Sequence, residues 1–135
     1  MNFKLTPKNM SESIHQKSLM QWARMHWWGK YFFHIPNEIP VSFLSNPWPI
    51  LSKRKAEGVL KGVLDNFLMI PVDGYHGLWI ELKAHGKKPS KDQLRFMDMC
   101  LSMDYQAEWS DNLDRSMELI TNYMGDVMKG WQAEL

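Results

Sequence analysis

The stretch GVLKGVLDNFLMIPVDGYHGLWIELK, residues 58–83, decides the fold. Two apolar runs, 63–70 and 77–82, flank the turn signal Pro71-Val72-Asp73-Gly74, and both read as strands. A hairpin centred on Asp73-Gly74 pairs residues whose numbers add to about 146, so Asp65 lies opposite Glu81. Strand alternation puts Lys83 on the face of Glu81 and turns Leu82 to the other face. Two carboxylates and an ammonium then converge on one patch. Like charges directly across a sheet repel, so something must compensate them, and two converging carboxylates make a site for a hard divalent cation. A cation there would polarise a phosphoryl oxygen and acidify a bound water. Lys83 could orient that water or stabilise charge on the phosphorus. A one-residue slip would instead turn one carboxylate away and leave a surface ion cluster.

Outward from the hairpin, helices and strands alternate. A first helix starts at Ser11 or Ser13, with Ser13 and Gln16 spaced as a capping box and Ile14, Leu19, Trp22 and Met25 as its apolar stripe, and it stops near Gly29. The run 31–35 reads as a strand closed by Pro36. Residues 36–50 carry four prolines and read as an irregular excursion, after which Ser52 caps a short helix over 53–57. Beyond the hairpin, the loop 85–89 leads to a helix from Ser90, with Leu94, Phe96, Met97 and Leu101 on its buried side. A strand over 105–109 follows. Asp111 or Asn112 then caps a last helix to about Met124, before Gly125. The order α-β-β-β-α-β-α predicts an α/β fold, a mixed sheet flanked by helices with a C-terminal helix.

At 135 residues the chain fits one domain, 1–135, with 1–10 and 125–135 peripheral. Its 44% hydrophobic and 23% charged residues argue against disorder. No apolar run approaches the ~20 residues of a membrane span, and the polar first ten residues do not read as a secretory signal. One cysteine, Cys100, excludes an intramolecular disulfide and fits a reducing, cytoplasmic setting. The net charge of +1 is unevenly spread. Residues 53–95 hold nine Lys/Arg against five Asp/Glu, whereas 96–135 hold two against eight. A basic part could face a polyanion while the acidic part faces away, or both are solvated faces.

Asp65, a gap of fifteen residues, then Glu81-Leu82-Lys83 resembles the D…E-x-K core of the PD-(D/E)XK nucleases. More narrowly, the chain is similar to the virus-type replication-repair nuclease (VRR-NUC) domain. The matching elements run in order: Glu12-Ser13-Ile14-His15-Gln16 with Gln21-Trp22, Pro36-Asn37-Glu38, Gly58, Lys61-Gly62, Asp65, Gly77 to Lys83, and Ser90 with Gln93. Leu64 departs from the pattern, since a proline usually precedes the aspartate there. The proline-rich stretch after Glu38 also lacks basic residues.

The resemblance implies an α-β-β-β-α-β nuclease core and Mg²⁺ or Mn²⁺ held by Asp65, Glu81 and the backbone carbonyl of Leu82. Glu12 would approach from the first helix and Gln93 would support the site from a later one. It further implies hydrolysis of branched or otherwise structured DNA, as by a Holliday-junction resolvase in replication or repair, in a bacterial or phage-infected cell. Lys61, Lys87, Lys88 and Lys91 are candidate phosphate contacts, and Gly62 serves either a backbone turn or close approach of DNA.

Each assignment has a plainer competitor. Ser90 and Gln93 are spaced as a capping box, Glu12 suits the first turn of a helix, and the loop lysines suit a solvated loop. The five histidines lack zinc-ligand spacing. Two other classes of function remain: a DNA-binding accessory protein whose catalysis has lapsed, and an assembly protein built on apolar surface. Seven tryptophans and eleven methionines exceed the needs of so small a core, and paired cuts at a junction require two sites. A symmetric homodimer is therefore expected, with Trp27, Trp28, Met124, Met128 and Trp131 as its candidate interface.

Overall fold

Asp73 and Gly74 both hold positive φ, 50° and 86°. That is the backbone of a two-residue type I′ hairpin turn, and a Val72–Tyr75 bridge flanks it. The computed structural model describes residues 10–36 and 44–130, so Asn37, Glu38 and Trp131 lie outside the described residues. The element order is α1 (Glu12–Arg24), β1 (Phe32–His34), α2 (Trp48–Ala56), β2 (Asn66–Leu68), β3 (Leu78–Leu82), α3 (Lys91–Ser102), β4 (Gln106–Ser110) and α4 (Leu113–Met124).

Between turn and ladder the register shifts by one residue, because three residues separate Leu68 from Val72 and two separate Tyr75 from Leu78. Asn66 pairs with Ile80 and Leu68 with Leu78, the alignment expected from the sequence. β1 adds antiparallel to β2. β4 adds parallel to β3, from Leu78–Gln106 to Leu82–Ser110, and α3 supplies the crossover that parallel pairing requires. The result is a four-stranded mixed sheet in the order β1-β2-β3-β4.

Strand alternation divides the core between the two faces. Leu78, Ile80 and Leu82 pack with Leu19 and Ala23 of α1 and with Leu119, Ile120 and Met124 of α4. Trp79 turns the other way, joining Phe96 and Met97 of α3 around Leu64, Cys100 and Ala107. Glu81 is in register with Trp79 and so lies on the α3 side.

Several local expectations are corrected. The N-cap of α1 is Ser11, whose Oγ accepts the Ile14 N–H at 3.1 Å. Gln16 does not close a capping box with Ser13; it forms a reciprocal amide pair with Asn66, at 2.8 and 2.9 Å. The buried stripe of α1 is His15, Leu19 and Ala23, while Met25 is 78% exposed. α2 begins at Trp48, four residues ahead of Ser52, because Pro49 occupies its first turn, where a missing N–H costs nothing. α3 buries Gln93 and Cys100, whereas Leu94 and Leu101 are 46% and 49% exposed.

Trp28 and Met124 are fully buried in the core, and Trp27 and Met128 pack against it. The aromatic and methionine excess is in part a filled core, and Trp28 and Met124 are not available to a second copy. Among the described residues, no helix is long and apolar enough to cross a membrane.

Candidate metal centre

Three elements bring the acids together. Glu12 is the first residue of α1. Asp65 immediately precedes β2, and Glu81 is the fourth residue of β3. One carboxylate oxygen from each lies within 4.8 Å of the other two. Asp65 is held through its backbone on both sides. Its N–H donates to Glu81 Oε2 at 2.9 Å, and its carbonyl accepts from the Ile35 N–H and lies 3.0 Å from His34 Nδ1. The side chain opposite Glu81 is therefore fixed by the chain that carries it.

Glu81 is fully buried, and its Oε1 is shared. Gln93 Nε2 donates to it at 2.7 Å, and Lys83 Nζ lies 3.3 Å away. Burial, and after it the charge of Asp65, pushes the Glu81 carboxyl up to about 8 against the opposing pull of Lys83. A carboxyl crowded in this way favours protonation until a cation offsets the repulsion. The donor set is all oxygen, and Glu81 Oε2 keeps a second lone pair beyond the Asp65 N–H bond it accepts. The residues present thus fit a hard divalent ion.

Gln93 reconciles its two readings. Its Oε1 accepts the Ser90 N–H at 2.9 Å while its own N–H donates to Ser90 Oγ, so the capping box is real. The same side chain uses its remaining amide group on Glu81. One residue starts the helix and holds the acid.

The predicted phosphate contacts separate. Lys61 and Gly62 line the same groove as Asp65 and Gln93, whereas Lys87, Lys88 and Lys91 are exposed and lie outside it. Gly62 has φ +84°, and a Cβ there would strike the Asp92 backbone. Close packing of this turn on α3 thus accounts for the glycine. Leu82 contributes its side chain to the opposite core, and its backbone lies between Glu81 and Lys83.

Sequence reading missed His15 and Asn66, both fully buried. His15 Nδ1 is 3.1 Å from the Lys83 carbonyl and Nε2 is 2.8 Å from Ser116 Oγ. It therefore ties α1 to the end of β3 and to α4. The i, i+4, i+8 spacing of His15, Leu19 and Ala23 was the available signal.

No family model matches the chain, and no curated protein does. Among solved structures, it is similar to a "VRR_NUC domain protein" at a TM-score of 0.71 and 24% identity, over 85% of this chain and 88% of that one. With helices on both faces of a mixed sheet in the order β1-β2-β3-β4, the chain shares the fold of that VRR_NUC domain protein.

Proposed function

We propose that the protein is a divalent-metal-dependent DNA endonuclease acting on branched or structured DNA, in the manner of a Holliday-junction resolvase in replication or repair. The observation that carries this reading is the convergence of Glu12, Asp65 and Glu81 within 4.8 Å, beside Lys83, on a VRR-NUC fold. Asp65, Glu81 and the Leu82 carbonyl are the proposed ligands of Mg²⁺ or Mn²⁺, with Glu12 approaching the same ion. When bound, the ion polarises a phosphoryl oxygen and acidifies water.

The chain's own groups do the rest. Gln93 holds Glu81 in the orientation that ligation needs. Lys83, 3.3 Å from Glu81, would stabilise the negative charge that builds on the phosphate. Lys61 and Gly62, with Lys87, Lys88 and Lys91, contact the DNA backbone and set its register. Residues 1–135 act as one nuclease domain, with 1–10 and 125–135 peripheral, in the cytoplasm of a bacterial or phage-infected cell. A four-way junction needs two cuts, so the working unit is a symmetric homodimer.

Calorimetric titration with Mn²⁺ tests the ligand assignment. The wild type binds the ion, and Asp65→Asn or Glu81→Gln loses most of that binding while remaining folded. A wild type that shows no metal binding, yet retains DNA, would instead be an accessory DNA-binding protein with lapsed catalysis.

A further inference from the structure

A groove of about 720 Å³ runs between α2 and α3 and reaches Asp65 and Gln93. We propose that this groove binds an unpaired DNA strand, one base stacked on Trp48 and the phosphates on Arg54, Lys55 and Lys61. The inference deepens the nuclease reading, and rests on it only for where the strand leads; binding in the groove needs no metal.

α2 is a nine-residue helix that buries none of its side chains. Its first residue, Trp48, is 71% exposed and lines the groove, where an indole does nothing for the core. Leu51, Leu60, Phe96 and Met99 extend the apolar lining. Arg54, Lys55 and Lys61 line the same groove, and among the described residues none of the three is in an ion pair. Arg95 lies 3.3 Å from Asp92, so those two charges offset each other. The surplus is positive, apart from Asp65 at the end that reaches the acidic centre.

Apolar lining with a cationic surplus selects between DNA forms. A duplex turns its phosphates outward and stacks its bases inside, so it has no base face to set against Trp48. An unpaired strand exposes both, and aromatic stacking together with basic residues along the backbone is how proteins hold it without reading sequence. Such a strand would enter the groove from a flap, a splayed end or an opened junction arm and reach the phosphodiester centre at Asp65.

Fluorescence anisotropy of the full chain with a labelled oligo-dT and with a blunt duplex, both in EDTA, tests this apart from catalysis. Trp48→Ala should weaken oligo-dT binding by about tenfold and leave duplex binding within about twofold. Arg54→Gln with Lys55→Gln should flatten the salt dependence of oligo-dT binding by roughly 1.4 in log–log slope, about 0.7 for each phosphate no longer neutralised. The proposal is overturned by a wild type that does not bind oligo-dT, by Trp48→Ala binding it as tightly as wild type, or by equal losses on both DNAs. A protein that binds oligo-dT through Trp48 but cuts no DNA with Mn²⁺ keeps the groove and loses the nuclease. Metal-dependent cutting with Trp48→Ala indifferent for oligo-dT does the reverse.

Discussion

Glu81 concentrates the electrostatics of the candidate site in one side chain. It is fully buried beside Asp65, and its carboxyl is raised from the ordinary 4.5 to about 8. Between those values the folded, metal-free protein holds a proton that the unfolded chain has released. Stability from this group is therefore fully present below about 4.5 and is lost as pH rises through about 8. Metal binding near neutral pH must displace that proton, about one per ion from this group. The calorimetric enthalpy of Mn²⁺ binding at pH 7 should therefore depend on the ionisation enthalpy of the buffer, and at pH 9 much less. Equal enthalpies in phosphate-free buffers of different ionisation enthalpy at pH 7 would contradict the protonated state. The convergence of Asp65, Glu81 and Lys83 was legible in sequence because the turn signal bounds the hairpin and strand alternation sets the face, but the extra residue between Leu68 and Val72 that aligns Asp65 with Glu81 was not. Gln93 was legible only in part, since spacing cannot reveal that one amide both caps α3 and holds Glu81.

At the scale of elements, α1 carries Glu12, and its position over the sheet depends on polar ties that hydrophobic periodicity does not detect. His15 and the Gln16–Asn66 pair make these ties. The His15 pKa is lowered, chiefly by burial. As pH falls below about 6.5, the unfolded chain takes up a proton that folded His15 resists, so the stability it contributes is full above that value and declines below it. His15→Leu should cost about 1–3 kcal/mol at pH 8, because the Lys83 carbonyl loses a buried donor. The variant should also lose part of the wild-type decline between pH 7 and 5. Urea denaturation at the two ends of that range decides it, and a parallel decline in both proteins would remove His15 as the cause. Periodicity misread the buried face of α1, which buries His15 in place of Ile14, and the cap residue Ser52 misplaced the start of α2, which lies at Trp48 within a proline cluster. β3 and β4 were found within a residue, since turn chemistry and β-branched and aromatic runs mark them locally, whereas β2, read as 63–70, spans only Asn66–Leu68.

At the scale of the whole molecule, the helices divide by face. α4, with Asp114 and Glu118, packs on the side of the sheet away from α3 and the basic groove. The homodimer is expected to sediment at twice the 16.0 kDa of the chain at micromolar concentration. A single 16.0 kDa species, unchanged by junction DNA and metal, would end that part of the reading. The central claim is that the Asp65–Glu81–Lys83 cluster cuts DNA, and single-turnover cleavage of a four-way junction, with flap, splayed and plain duplex alongside, tests it most directly. With Mg²⁺ or Mn²⁺ the wild type should cut a branched substrate, Asp65→Asn should not, and Lys83→Met should be slower by roughly 10²–10³-fold. A wild type that cuts none of these DNAs with either ion, or an Asp65→Asn variant that cuts at the wild-type rate, would contradict it.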